Sequence, residues 1–135
     1  MTDGPLLAKR LARIETCVAD LRRYARPERL AEDVVERGFV EHTLQLAIQS
    51  VLDAAAHVIT AERLGEPENR HRYFDILTRH GWVTADLAAR MKSMVGFRNI
   101  LVHEYEDVDL AIVRDVVEHR LGDLLEFVAA IRAKL

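Results

Sequence analysis

Residues Val40–Val58 read VEHTLQLAIQSVLDAAAHV. Val40, Leu44, Ala47, Val51, Ala55 and Val58 recur at steps of three and four, which places them on one face of a helix. Leu46, Ile48, Leu52 and Ile59 widen that stripe until the helix is apolar over most of its circumference. A helix of this kind stands at the centre of a bundle, or faces a core on one side and a partner on the other. The spacing predicts a helical region from about Glu28 to Leu64, with Gly38 the one place where a kink is expected.

The same periodicity continues on both sides. Toward the N-terminus, Leu7, Leu11, Ile14, Val18 and Leu21 form one stripe, limited by Pro27 because a proline disfavours helix at the residue before it. Toward the C-terminus, Gly65-Glu66-Pro67-Glu68-Asn69 reads as a loop. A shorter helix follows with Tyr73, Phe74, Ile76 and Leu77, ending near Gly81. Thr84 reads as an N-cap, with Leu87 where a capping box would place Glu or Gln. Leu87, Met91, Met94, Val95 and Leu101 or Val102 then face inward. Glu104, Glu106, Asp107 and Asp109 crowd a break. The last helix carries Leu110, Val113, Val117, Leu121, Leu124, Val128 and Ile131, with Val116, Leu125 and Phe127 beside the stripe. The chain therefore reads as all-α, an up-down four- or five-helix bundle in a single domain, residues 1–135. The apolar surplus on the second and last helices either fills the monomer's core or supports a homodimer.

Composition narrows the classes further. A chain of 135 residues with half of them apolar has enough to bury a core and is not disordered. The single Cys17 forms no intramolecular disulfide, and no Cys/His cluster has zinc spacing, so a reducing compartment and no metal are expected. The N-terminus lacks the charged and apolar regions of a secretory signal. No apolar run approaches the ~18–20 residues that span a bilayer. A cytoplasmic protein without a membrane partner is expected. The net charge of −3 excludes nucleic-acid binding by bulk charge alone. A local basic groove remains open: of 19 cations 16 are Arg, the residue suited to planar phosphate contacts.

No Gly-rich phosphate loop, His-Glu-x-x-His helix or nucleophile elbow is present. The informative segment is Gly96-Phe97-Arg98-Asn99-Ile100-Leu101-Val102-His103-Glu104-Tyr105. Leu87, Met91 and Met94 define a buried stripe, and its next step lands on Arg98. A guanidinium there is either paired with a carboxylate or lines a groove. Arg98 and His103 are five apart, ~140° and ~7.5 Å on an unbroken helix. They share a site if His103 occupies a fraying last turn, or if a dimer axis brings two Arg and two His together. Arg-x4-His recurs at Arg37/His42 and Arg114/His119, but inside helices read as continuous. Context singles out the middle pair: a helix end, an Arg on the apolar stripe, an amide at Asn99 and a phenol at Tyr105. An imidazole titrating near neutrality and a fixed cation suit metal-free RNA cleavage, in which the 2′-hydroxyl attacks the adjacent phosphate and leaves a 2′,3′-cyclic phosphate. Asn99 would orient His103 or donate to phosphate. Arg90 and Lys92 precede the segment and are placed to touch RNA backbone. Arg63, Arg70, His71, Arg72, Arg79 and His80 form a locally basic stretch diluted by Glu62, Glu66, Glu68 and Asp75, which reads as a solvated face. Trp82 reads as a residue closing the core or, with His80, as a stacking surface for a base. His42, His57 and His119 read as structural.

Arg98-Asn99-x-x-x-His103-x-Tyr105 resembles the R-x4-H-x-Y motif of HepT-like toxins, within the HEPN group of helical domains. The resemblance extends to Ile14 and Cys17, to Leu44-Gln45-Leu46-Ala47-Ile48, to the Gly81 break, to Met94-Val95-Gly96-Phe97 and to Val108-Asp109. It implies an all-α HEPN bundle that dimerises, with the motif in a cleft near the dimer axis. It implies the toxin of a toxin–antitoxin pair, a metal-independent endoribonuclease that needs no cofactor. Arg98 and His103 would be catalytic and Asn99 supporting. Tyr105 would accept AMP from a minimal nucleotidyltransferase (MntA-like) antitoxin, silencing the enzyme. A non-catalytic helical module that docks a nucleotide or a nucleotidyltransferase is the alternative.

Overall fold

The computed structural model describes residues 4–103 and 108–135, with His103 described by its backbone alone. The helices are α1 (Gly4–Tyr24), α2 (Val34–Ala61), α3 (Arg72–Arg79), α4 (Ala85–His103), α5 (Leu110–Asp115) and α6 (Leu121–Arg132). A 3-10 turn, Pro27–Arg29, precedes α2, and a π-helical turn, Val116–Arg120, joins α5 to α6.

The central position of α2 follows from its composition. It packs against α1, α3, α4 and α6. The whole predicted stripe from Val40 to Val58 is buried, and so are Ile48, Leu52 and Ile59. Val113, Val116, Val117, Leu121, Leu124, Phe127, Val128 and Ile131 are buried from the other side, and Phe74 meets Phe127 edge-on at 6.3 Å. The apolar surplus on the second and last helices thus fills the core of one chain. By length and composition α2 also suffices to cross a membrane, with a mean hydropathy of 1.3 over an 18-residue window. Polar residues interrupt the stretch, so no unbroken apolar run is that long. Of that window 56% is buried inside the domain.

Two boundaries differ from the sequence reading. The second helix begins at Val34 rather than Glu28. Asp33 Oδ1 accepts hydrogen bonds from the Val35 and Glu36 amides at 2.9 and 3.2 Å, so it caps α2. Upstream, Pro27 starts a 3-10 turn and Leu30 N–H donates back to its carbonyl. The helix continues through Gly38 and ends at Ala61, three residues short of Leu64, where Arg63 takes a positive φ of 53°. The π-helical turn was not foreseen at all.

The other local signals act as read. Thr84 Oγ1 accepts from the Leu87 amide at 3.1 Å and caps α4 without a capping box. Gly81, at φ +77°, stops α3, and the Trp82 amide donates to the Leu77 carbonyl at 2.8 Å to close the helix end. Trp82 is buried, with the Lys134 ammonium over its ring. Asp109 caps α5 by accepting from the Ala111 amide.

Candidate active site

The site is carried by the C-terminal half of α4, which the Thr84 cap and the packing of Leu87, Met91, Met94, Val95, Phe97 and Leu101 hold in register. Arg98 falls between Met94 and Leu101 on this buried stripe and is itself half-buried. Its Nε is buried and has no hydrogen-bond partner, and it forms no ion pair among the described residues. The reading of Arg98 as a buried, carboxylate-paired residue therefore fails among those residues. Burial lowers the guanidinium's basicity from the ordinary arginine range. Arg70, on the connection between α2 and α3, lowers it further, while Asp53 on α2 opposes both.

The other two Arg-x4-His pairs differ in this respect. Arg37 Nε donates to the Leu30 carbonyl at 3.3 Å, and Arg114 Nε to Glu118 at 2.7 Å. Both are satisfied locally.

His103 is the last described residue of α4, five positions beyond Arg98. Asn99 is half-buried next to Arg98. Tyr105, the proposed AMP acceptor, lies outside the described residues, as do Glu104, Glu106 and Asp107. Ile100 and Val102 on the same turn are each 39% exposed, so apolar surface flanks the motif.

Arg90 and Lys92, expected to touch RNA backbone, are each engaged by carboxylates of the same chain. Arg90 contacts Asp86, Asp123 and Glu126 at 2.9, 2.7 and 2.6 Å, which raises its basicity and ties α4 to α6. Lys92 pairs with Asp75, which also holds Arg72 at 3.1 Å. Both cations face carboxylates, which a phosphate would have to displace or share. The sequence hid this because Asp123, Glu126 and Asp75 are distant in the chain. Arg72, Asp75, Arg79 and Lys92 instead line a cavity of about 480 Å³ against the Gly65–Glu68 loop.

Asp53, whose charge acts on Arg98, belongs to a polar cluster between α1 and α2 that the sequence reading overlooked. Asp53 Oδ2 accepts from Arg10 on α1 at 3.2 Å, and Oδ1 accepts from Gln49 at 2.8 Å. His57, one turn further along α2, has a buried Nε2 without a partner among the described residues. No group of three or more His, Cys, Asp or Glu among the described residues is placed to hold a metal ion.

An all-α bundle presenting Arg-Asn-x3-His at the end of a core helix defines the class, a helical domain with a candidate anion-binding, proton-transferring site. Residues 14–131 match the family model described as ribonuclease HepT-like, and the chain belongs to that family. It is 30% identical over 130 residues to the mRNA nuclease HepT of Shewanella oneidensis, covering 96% of this chain and 98% of that one. A putative RNase of Archaeoglobus fulgidus is 31% identical over 102 residues, 76% of each chain. Among solved structures, the tri-AMPylated Shewanella oneidensis HEPN toxin in complex with its MNT antitoxin superimposes with a TM-score of 0.88 at 30% identity, covering 98% of this chain and 99% of that chain. A toxin–antitoxin crystal structure with AMP-PNP gives 0.90 at 29% identity, with coverages of 96% and 99%.

Proposed function

We propose that the chain is the toxin of a toxin–antitoxin pair and cuts RNA without a metal ion. The observation that carries this reading is the half-buried, unpartnered guanidinium of Arg98 on α4, five residues before His103, in a HepT-like chain. A desolvated cation with a free N–H is preorganised for the charge that develops on phosphoryl oxygens. His103 takes the proton of the 2′-hydroxyl or delivers one to the leaving 5′-oxygen, and an imidazole suits either step. The 2′-oxygen bonds to phosphorus, the bond to the 5′-oxygen breaks, and a 2′,3′-cyclic phosphate and a 5′-hydroxyl result. Asn99 donates to phosphate or steadies the imidazole. Arg90 and Lys92, bound to carboxylates, stay outside this chemistry.

The partner is a minimal nucleotidyltransferase antitoxin that transfers AMP from ATP to the Tyr105 oxygen with release of pyrophosphate. Two residues from His103, that AMP would place a phosphodiester and a base at the cleft, where it engages Arg98 and repels the substrate backbone. The active unit is a homodimer whose contact includes the exposed Ile100 and Val102 beside the motif. The site of action is the cytoplasm.

The test is RNA cleavage in excess EDTA by protein shown by intact mass to lack AMP. Wild type should yield cyclic-phosphate ends, and Arg98→Ala and His103→Ala should each be inert while keeping the wild-type far-UV spectrum. Cleavage by both pure variants would overturn the assignment. Lack of cleavage by AMP-free wild type would favour a non-catalytic nucleotidyltransferase partner.

A further inference from the structure

A cavity of about 210 Å³ opens between α1 and α2, lined by Lys9, Arg10, Arg13, Ser50 and Asp53. Lys9, Arg10 and Arg13 fall at steps of one and three, which puts them on one side of α1. Three cations face one carboxylate, on a chain whose net charge is −3.

The charges are arranged unevenly. Both oxygens of Asp53 are already engaged, one by Arg10 and the other by Gln49. Lys9 and Arg13 are exposed and have no ion-pair partner among the described residues. Arg10 Nε is buried without a hydrogen-bond partner, and so is Arg98 Nε. Two guanidinium groups, each with an unmet N–H, thus lie within the field of the same carboxylate. A buried N–H without an acceptor is costly unless a ligand supplies one. An acceptor recurring along a chain, one for each of two adjoining cationic sites, is what a nucleic-acid backbone offers.

We propose that the α1–α2 cavity binds a backbone phosphate next to the one held by Arg98, so that substrate RNA runs from the α4 motif across Asp53 onto the cationic side of α1. This subsite rests on the reading of Arg98 as the phosphate-binding cation. Arg10 supplies its unmet N–H to the phosphate, Lys9 and Arg13 supply field and further donors, and Asp53 fixes the spacing of the two arginines.

The test uses full-length Lys9→Gln/Arg13→Gln, which leaves the Arg10–Asp53 pair intact, in a His103→Ala background so that the probe survives. The probe is a fluorescein-labelled single-stranded RNA of about 10 nucleotides, titrated across a range of salt concentrations. The dissociation constant should rise roughly 10-fold near 0.1 M salt. The slope of log affinity against log salt should fall by about 0.7, the contribution of the one phosphate that is no longer neutralised. An unchanged dissociation constant with an unchanged slope overturns the subsite. Unchanged RNA binding with weakened binding to the antitoxin also overturns it and assigns the surface to that protein. Wild-type cleavage, run alongside, separates the two proposals. No cleavage with the binding loss observed removes the ribonuclease reading and keeps the subsite; cleavage with no binding loss does the reverse. Arg13→Gln alone, expected to raise the dissociation constant and lower the slope in the same direction by a smaller amount, decides the matter if the double variant melts below the parent.

Discussion

Arg98 occupies a position where a hydrophobic residue would stabilise the bundle more. Its neighbours along the stripe, Met94 and Leu101, are buried, and its own Nε is orphaned. A polar group left in this state usually marks function, because replacing it with an apolar group of similar volume is neutral or stabilising. Arg98→Met should therefore melt at or above the wild-type temperature, by up to about 1 kcal/mol in stability, while RNA cleavage falls at least about 100-fold. A large loss of stability would mean that Arg98 is a structural residue. This residue was legible in the sequence because Leu87, Met91 and Met94 set a period that a charge then interrupts. Lys9, Arg10 and Arg13 were not, since cations on the outer face of an amphipathic helix look like any solvated surface. Only Asp53, 43 positions from Arg10, distinguishes them. His103 and Tyr105 rest on the motif that carries them.

At the scale of elements, α4 is positioned by two devices that the sequence announced. Thr84 supplies the cap, and Thr84→Ala should lower stability by about 1 kcal/mol, read as a shift in urea midpoint with an unchanged slope. Gly81 takes φ +77°, and a Cβ there would meet nothing within 4 Å, so any penalty is conformational rather than steric. Gly81→Ala should cost about 1 kcal/mol and Gly81→Asn less, because Asn tolerates the left-handed region better. Equal costs for the two would point to a contact instead. The start of α2 lies later than the sequence suggests because Pro27-Glu28-Arg29 closes into a tighter 3-10 turn, leaving Asp33 to act as the cap. The π-helical turn at Val116–Arg120 left no mark in the pattern, since one extra residue in the hydrogen-bonded ring requires no change of residue type. It sits against a cavity of about 240 Å³ whose apolar floor includes Met94 and Phe97 of α4.

At the scale of the molecule, net charge was a poor guide to charge placement. The chain is acidic, yet many of its carboxylates hold cations between helices, as Glu15 holds Arg132 at 2.7 and 2.8 Å between α1 and α6, and Asp75 holds Lys92 between α3 and α4. These two carboxyls titrate below their ordinary range, chiefly through those hydrogen bonds. Their contribution to stability is present above the unfolded carboxylate range and lost as pH falls through their lowered values. Glu41 behaves in the opposite sense. It is buried at 9% exposure, its Oε1 has no partner among the described residues, and desolvation raises its carboxyl above the usual range against the partial pull of Arg37. A raised acid costs nothing while protonated in both states, and the cost appears as pH rises through its folded value. Stability should climb from strong acid as the paired carboxylates ionise, then lose part of that gain as Glu41 ionises. Glu41→Gln keeps the shape and removes the charge. Its unfolding midpoint should exceed wild type by about 1 kcal/mol at pH 7–8, with the gap closing below about pH 4. Equal midpoints across that range would mean that Glu41 is solvated or paired in solution, and a gap that widens toward acid would reverse the assigned sign.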